Sequence, residues 1–236
     1  NSLVKFHQQA VTSAKGNPLT PDVLVDGRYT HKDYMTAHLT FLQFTLQQGV
    51  LYLHWHRARD IWDTLAANAD ACEWDTETCF EWFTKGIADL EQDTQLQLFQ
   101  KELLKVDPAK LSQKGFACFK CFFENVNHFE HKLKKPGMIV EKLDLIGLDY
   151  LWEVCLKTTD TEITELAINL LMTMSYTNLS QKLKKDPVQL HKKFIDECYN
   201  RLESAMIPLG GSLVAQVLSS AANLVTAAIV PELASM

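Results

Sequence analysis

Residues 143–183, LDLIGLDYLWEVCLKTTDTEITELAINLLMTMSYTNLSQKL, constrain the fold more than any other stretch. Leu145, Leu148, Leu151, Trp152 and Cys155 recur at three- and four-residue steps, which places them on one helical face. The apolar run breaks over 157–161. Thr159 with Glu162 fits a capping box, hydroxyl and carboxylate each taking an orphan amide. A second helix then carries Ile163, Leu166, Ala167, Leu170, Leu171 and Met174. The spacing therefore predicts two antiparallel helices joined by a tight polar turn. Two wide apolar stripes on one short hairpin cannot cover each other completely. They need neighbours of the same kind, which is the logic of a stacked helical repeat.

The rest of the chain repeats that pattern. Helices are predicted over 3–14, 33–53, 54–68, 75–90, 92–106, 114–133, 186–202 and 212–230, with a short turn of helix at 107–113. Phe116, Phe119, Phe122, Phe123, Val126 and Phe129 form the densest stripe, and Lys134-Lys135-Pro136-Gly137 stops it. No strand alternation of useful length is present, and no Gly-rich phosphate loop follows a strand. The expected fold is all-α: an armadillo/HEAT-like stack of antiparallel helical hairpins, an α-solenoid. Lys132–Pro136 and Lys182–Pro187 resemble each other and are expected to end helices in two copies of a repeat. The expected division is 1–30 as a short helix and loop, 31–204 as the helical-repeat domain, and 205–236 as an apolar capping or partner-binding helix.

Composition narrows the function. A formal net charge of −6 and a pI near 5.7 argue against nucleic acid, which needs a basic face. Hydrophobic residues at 47% and nine Gly argue against a disordered chain. The segment 212–230 approaches membrane-span length. Its Gln216, Ser219, Ser220, Asn223 and Thr226 and its lack of basic flanks argue against spanning. Six cysteines (72, 79, 118, 121, 155, 198), with Cys155 on a core face, predict mostly buried, free thiols in a reducing cytoplasmic or nuclear setting.

Each candidate for chemistry has a plainer explanation. Cys118-Phe119-Lys120-Cys121 with His128 and His131 has the residue types of a zinc site. On one continuous helix the two pairs lie more than two turns apart, so two buried thiols among phenylalanines are expected. Cys198-Tyr199-Asn200 superficially looks like a thiol-protease box, but Cys198 is in phase with Phe194 and Leu202. His54 and His56 point to different faces, beside a Trp55 expected to pack on the core. Asp70, Glu73, Asp75 and Glu77 around Trp74 read as a solvated, helix-capping acidic turn. Lysines at 132–135 and 182–185 are expected at helix C-termini, where they complement the helix dipole. Lys182, Lys184, Lys185, Lys192 and Lys193 are the candidate partner-binding residues, a basic patch for an acidic protein. No catalytic residue, cofactor or metal ligand is assigned.

Five motifs occur in an order that resembles the large fat-facets-type ubiquitin-specific proteases. They are Gly27-Arg28-Tyr29-Thr30-His31, Trp62, Cys79-Phe80-Glu81-Trp82-Phe83, Leu145-Ile146-Gly147-Leu148-Asp149-Tyr150-Leu151-Trp152 and Tyr176-Thr177-Asn178-Leu179. The resemblance covers roughly residues 22–203 and is most specific at 147–152. It implies a non-catalytic, armadillo- or HEAT-like region of a giant deubiquitinase whose papain-like domain lies elsewhere. That family's catalytic Cys box, a Gly-rich turn into Thr-Cys-Tyr, has no counterpart here, nor has its His box. The expected role is a scaffold for protein partners, ubiquitinated substrates or other parts of the parent chain. The alternative is a self-contained cysteine hydrolase pairing one thiol with His54, His128 or His131.

Overall fold

The computed structural model describes residues 2–206, and the predicted apolar helix at 212–230 lies outside them. Nine α-helices, one two-stranded hairpin and a few short 3-10 and π turns make up the regular structure of the described residues. The described residues form two compact units, 2–105 with Ser112–Phe122, and Val106–Leu111 with 123–206.

The first unit contains α1 (Ser2–Ser13), α2 (His31–Gly49), α3 (Trp55–Leu65), α4 (Glu73–Lys85), α5 (Gln92–Lys101) and the start of α6 (Gln113–Phe129). Helix α2 starts where Thr30 and Asp33 form a reciprocal capping box. Asp33 donates its amide to Thr30 Oγ1 at 3.1 Å, and Thr30 donates its own to Asp33 Oδ2 at 2.9 Å. It stops where Val50 takes a left-handed conformation at φ 51°, and its amide returns to the Leu46 and Gln47 carbonyls. Met35, Leu39 and Leu46 face the core. Phe44, on the opposite face from Met35, is 59% exposed, and Phe41 is 71% exposed. Helices α1, α3 and α4 add Ala10, Ile61, Trp62, Cys79, Phe80 and Phe83. The Phe83 ring lies 5.1 Å from that of Trp82 and 6.0 Å from that of Trp62. Trp82 donates its indole N–H to the Leu39 carbonyl at 3.1 Å, so this large ring is buried with its one polar atom satisfied. Phe99 of α5 meets Phe119 and Phe122 of α6 at 5.8 and 6.4 Å.

The second unit contains the rest of α6, a hairpin of β1 (Leu133–Lys134) and β2 (Ile139–Val140), α7 (Leu148–Lys157), α8 (Thr161–Met172) and α9 (Pro187–Met206). Helices α7 and α8 pack together across the link 158–160, as the periodicity predicts. The cap differs from expectation. Asp160, not Thr159, is the N-cap, its carboxylate accepting the Glu162 and Ile163 amides. A carboxylate also suits the positive end of the helix better than a hydroxyl. Leu166, expected in the stripe, is exposed. Gly147 adopts φ 88°, the left-handed turn that aims α7. Behind it Asn127 of α6 is fully buried and holds Ile146 by both backbone groups. Its Oδ1 accepts the Ile146 amide at 2.8 Å, and its Nδ2 donates to the Ile146 carbonyl at 2.9 Å.

The two lysine-rich segments are not equivalent. Lys132–Lys135 leads into the hairpin, whereas Leu183–Lys185 is a 3-10 turn just before α9. The expected repeat boundary and C-terminal dipole role therefore fail for the second group, which precedes a helix N-terminus. There Asp186 takes the cap, accepting the Gln189 amide at 3.0 Å.

Candidate functional site

Three helices of the first unit bring one buried polar cluster together. His7 lies on α1, His31 is the first residue of α2, and Asp75 sits in the first turn of α4. Each occupies the apolar stripe of its helix: His7 with Leu3 and Ala10, His31 with Met35, Asp75 with Cys79, Trp82 and Phe83. His7 is 1% exposed, and His31 and Asp75 are 0% exposed. His31 Nε2 lies 2.6 Å from Asp75 Oδ1, and His7 Nε2 lies 3.4 Å from Asp75 Oδ2. Cys72, immediately before α4, donates both its amide (3.0 Å) and its thiol (3.3 Å) to Oδ2.

Burial raises the Asp75 pKa. The contacts from His31 and His7 and the Cys72 amide lower it further than burial raises it, so the carboxylate stays ionised well below the usual range. Two ring nitrogens in the cluster, His7 Nε2 and His31 Nδ1, have no hydrogen-bond partner. A cleft of about 200 Å³ lined by His7, Asp60, Asp63, Thr64 and Asn68 reaches the edge of the cluster. This arrangement corrects the reading of 70–77 as a solvated acidic turn: Glu73, Asp75 and Glu77 are helical, and Asp75 is in the core. The sequence did carry a signal, since a carboxylate at the i position of an i, i+4, i+7, i+8 apolar stripe is buried unless the helix is turned.

The other candidates do not assemble chemistry. Among the described residues, His7, His31 and Asp75 are the one group of three metal-capable side chains. Cys118 is buried as expected, but Cys121 is half-buried. His128 Nδ1 contacts the Leu133 carbonyl at 3.2 Å, and His54 pairs with Glu91 at 2.8 Å on the surface. Trp55, expected in the core, is half-buried under the Lys101 ammonium. Lys182, Lys185, Lys192 and Lys193 are exposed, while Lys184 is half-buried and donates to the Thr177 carbonyl at 2.7 Å.

All six cysteines are free. Burial pushes the Cys118 and Cys155 thiols up to about 12 and those of Cys72 and Cys198 up to about 11, with Cys79 also far above normal. A thiol nucleophile needs the opposite shift. Cys79, Cys118, Cys155 and Cys198 are accordingly expected to resist a maleimide at neutral pH in the folded chain and to react fully in denaturant. Mass spectrometry of labelled peptides checks this. No described helix is long and apolar enough to cross a membrane.

The stacked antiparallel helices of the described residues place the chain with the armadillo-like helical-repeat proteins. Residues 1–127 match the family described as UBP24/USP9X/USP9Y ARM repeat, and the chain belongs to it. The human ubiquitin carboxyl-terminal hydrolase 24 is 48% identical over 236 residues, which is 99% of this chain and 9% of that protein. The human ubiquitin carboxyl-terminal hydrolase 9Y is 40% identical over 78% of this chain and 7% of its own. The Drosophila melanogaster probable ubiquitin carboxyl-terminal hydrolase FAF is 38% identical over 86% of this chain and 8% of its own. The chain thus spans under a tenth of the relatives it matches.

Proposed function

We propose that this chain is a non-catalytic helical scaffold within a large deubiquitinating enzyme of the cysteine type, offering surface to protein partners or to the rest of the parent chain. The exposed apolar residues at the end of α2 carry the reading: Phe41, Phe44, Val50, Leu51 and Tyr52 are all more than half exposed. Such a concentration along the last turns of α2 and the three residues that follow it exceeds the scattered single exposures of an ordinary surface. Aromatic anchors of this kind dominate protein interfaces. The protonated, buried thiols and the names of the relatives, all ubiquitin carboxyl-terminal hydrolases, support the same reading. The lysines at 182, 185, 192 and 193 would add a basic patch for an acidic partner. Free thiols fit a reducing, cytoplasmic or nuclear compartment.

The test uses the full-length parent enzyme. A Phe41→Ser, Phe44→Ser double variant is expected to lose turnover of protein substrates while cleaving a minimal ubiquitin substrate at the normal rate. Unchanged turnover of both, with unchanged turnover after deletion of the whole chain, would refute the scaffold role. A ubiquitin-based thiol probe separates the alternative: covalent capture by this chain alone would make it a hydrolase.

A further inference from the structure

We propose that His7, His31, Asp75 and Cys72 form a structural zinc site that ties α1, α2 and α4 together. The inference does not depend on the scaffold reading. The donor set is two imidazoles, one carboxylate and one thiol, a combination that zinc accepts in a tetrahedral, all-protein site. With Zn–N and Zn–O at about 2.0 Å and Zn–S at about 2.3 Å, neighbouring donors in a tetrahedron lie about 3.3–3.5 Å apart. Around Asp75 Oδ2 two of those separations exist, His7 Nε2 at 3.4 Å and Cys72 Sγ at 3.3 Å, while Cys72 stands outside the group of His7, His31 and Asp75 and has to turn toward the two imidazoles to join them. His31 Nε2 makes the fourth corner. It is held at 2.6 Å from the other carboxylate oxygen, and the three His and Asp ligand atoms lie within 4.8 Å of one another. Its hydrogen bond to Oδ1 has to open for it to turn toward the ion.

A hydrogen-bonded network of the same side chains explains less. One carboxylate can satisfy His31 and Cys72, and that arrangement leaves His7 Nε2, on a 1% exposed residue, with a 3.4 Å approach to Oδ2 in place of a well-formed hydrogen bond. A metal gives that nitrogen a partner. A dication also balances the charges, since the thiolate and the carboxylate together carry two negative charges. Binding releases the thiol proton and requires both imidazoles to present an unprotonated Nε2. Burial of His7, His31 and Asp75 leaves no open coordination position, which marks a structural rather than a catalytic ion. The cleft beside His7 supplies an entry path.

The experiment is metal uptake by the 236-residue chain, stripped with chelator and then titrated with Zn²⁺ or Co²⁺. One equivalent of zinc is expected, with a raised thermal midpoint. The cobalt form should show intense tetrahedral d–d bands and a thiolate-to-cobalt charge-transfer band. His7→Gln should weaken uptake at least tenfold. Cys72→Ser, at a half-buried position that tolerates polarity, should abolish the charge-transfer band whether or not His7→Gln folds. Failure of the wild-type chain to retain zinc would overturn the proposal. So would tight zinc uptake unchanged in His7→Gln, or a charge-transfer band that survives Cys72→Ser, since either places the metal elsewhere, for example at Cys118 and Cys121.

Discussion

Asp75→Ala is expected to lower the unfolding free energy of the first unit by about 3–5 kcal/mol, since each buried polar group left without its partner costs roughly 1–3 kcal/mol. The substitution strands His31 Nε2, which loses its 2.6 Å contact, and removes the acceptor for both the amide and the thiol of Cys72. It also leaves a void between α1, α2 and α4, in a core that relaxes only partly around a deletion. A domain of this size has about 5–15 kcal/mol in total, so the loss approaches global unfolding. Urea titration followed by tryptophan fluorescence measures it well, because Trp55, Trp62, Trp74 and Trp82 all belong to the first unit. Asp70→Ala, at an exposed carboxylate a few residues earlier, is the control and should change stability by less than about 0.5 kcal/mol. An Asp75→Ala midpoint within error of the control would mean that the carboxylate is solvated after all.

That contrast also shows where reading the sequence succeeds. Element type followed from period alone: Ile61, Trp62 and Leu65, or Phe116, Phe119, Phe122 and Phe123, can be gathered on one face only by a helix, and all are buried. The resemblance read from motifs at 27–31, 79–83 and 147–152 agrees with the family that the chain belongs to. Three kinds of information were not local. A stripe says that a residue is apolar, not that a neighbour will cover it, so Leu166 is exposed despite its phase, whereas Phe44 is exposed because it lies on the face of α2 opposite Met35. Caps depend on which of several adjacent polar residues reaches the free amides, and Asp160 displaced Thr159. The buried cluster joins positions 7, 31 and 75, and its parts gain meaning only when three helices meet. Asp75 was grouped with Asp70, Glu73 and Glu77 by proximity in sequence, although its phase with Cys79 and Phe83 already separated it from them.

Asn127→Ala should cost about 2–4 kcal/mol in the second unit and should act at a distance in sequence, on the entry to α7. Asn127 is fully buried, and its side chain makes three hydrogen bonds: to the Phe123 carbonyl at 2.9 Å, to the Ile146 carbonyl at 2.9 Å, and from the Ile146 amide at 2.8 Å. Alanine removes all three. The Phe123 carbonyl lies in the helix and can keep its backbone partner, but both Ile146 groups are left partnerless in a half-buried loop, each costing roughly 1–3 kcal/mol when desolvated. The loop matters because Gly147 follows in a left-handed conformation and sets the direction from which Leu151, Trp152 and Cys155 enter the core. Hydrogen exchange gives the specific readout. The Ile146 amide should be protected in the wild-type chain and exchange at least tenfold faster in the variant, while amides at the centre of α8 slow or quicken only with global stability. Asn127→Asp is the sharper comparison. It keeps the acceptor for the Ile146 amide, so that amide stays protected. It buries a carboxylate facing two carbonyl oxygens, so it is expected to be less stable than Asn127→Ala. Equal exchange at Ile146 in the wild-type chain and Asn127→Ala would show that α7 is aimed by Gly147 and its own packing, with the asparagine a bystander.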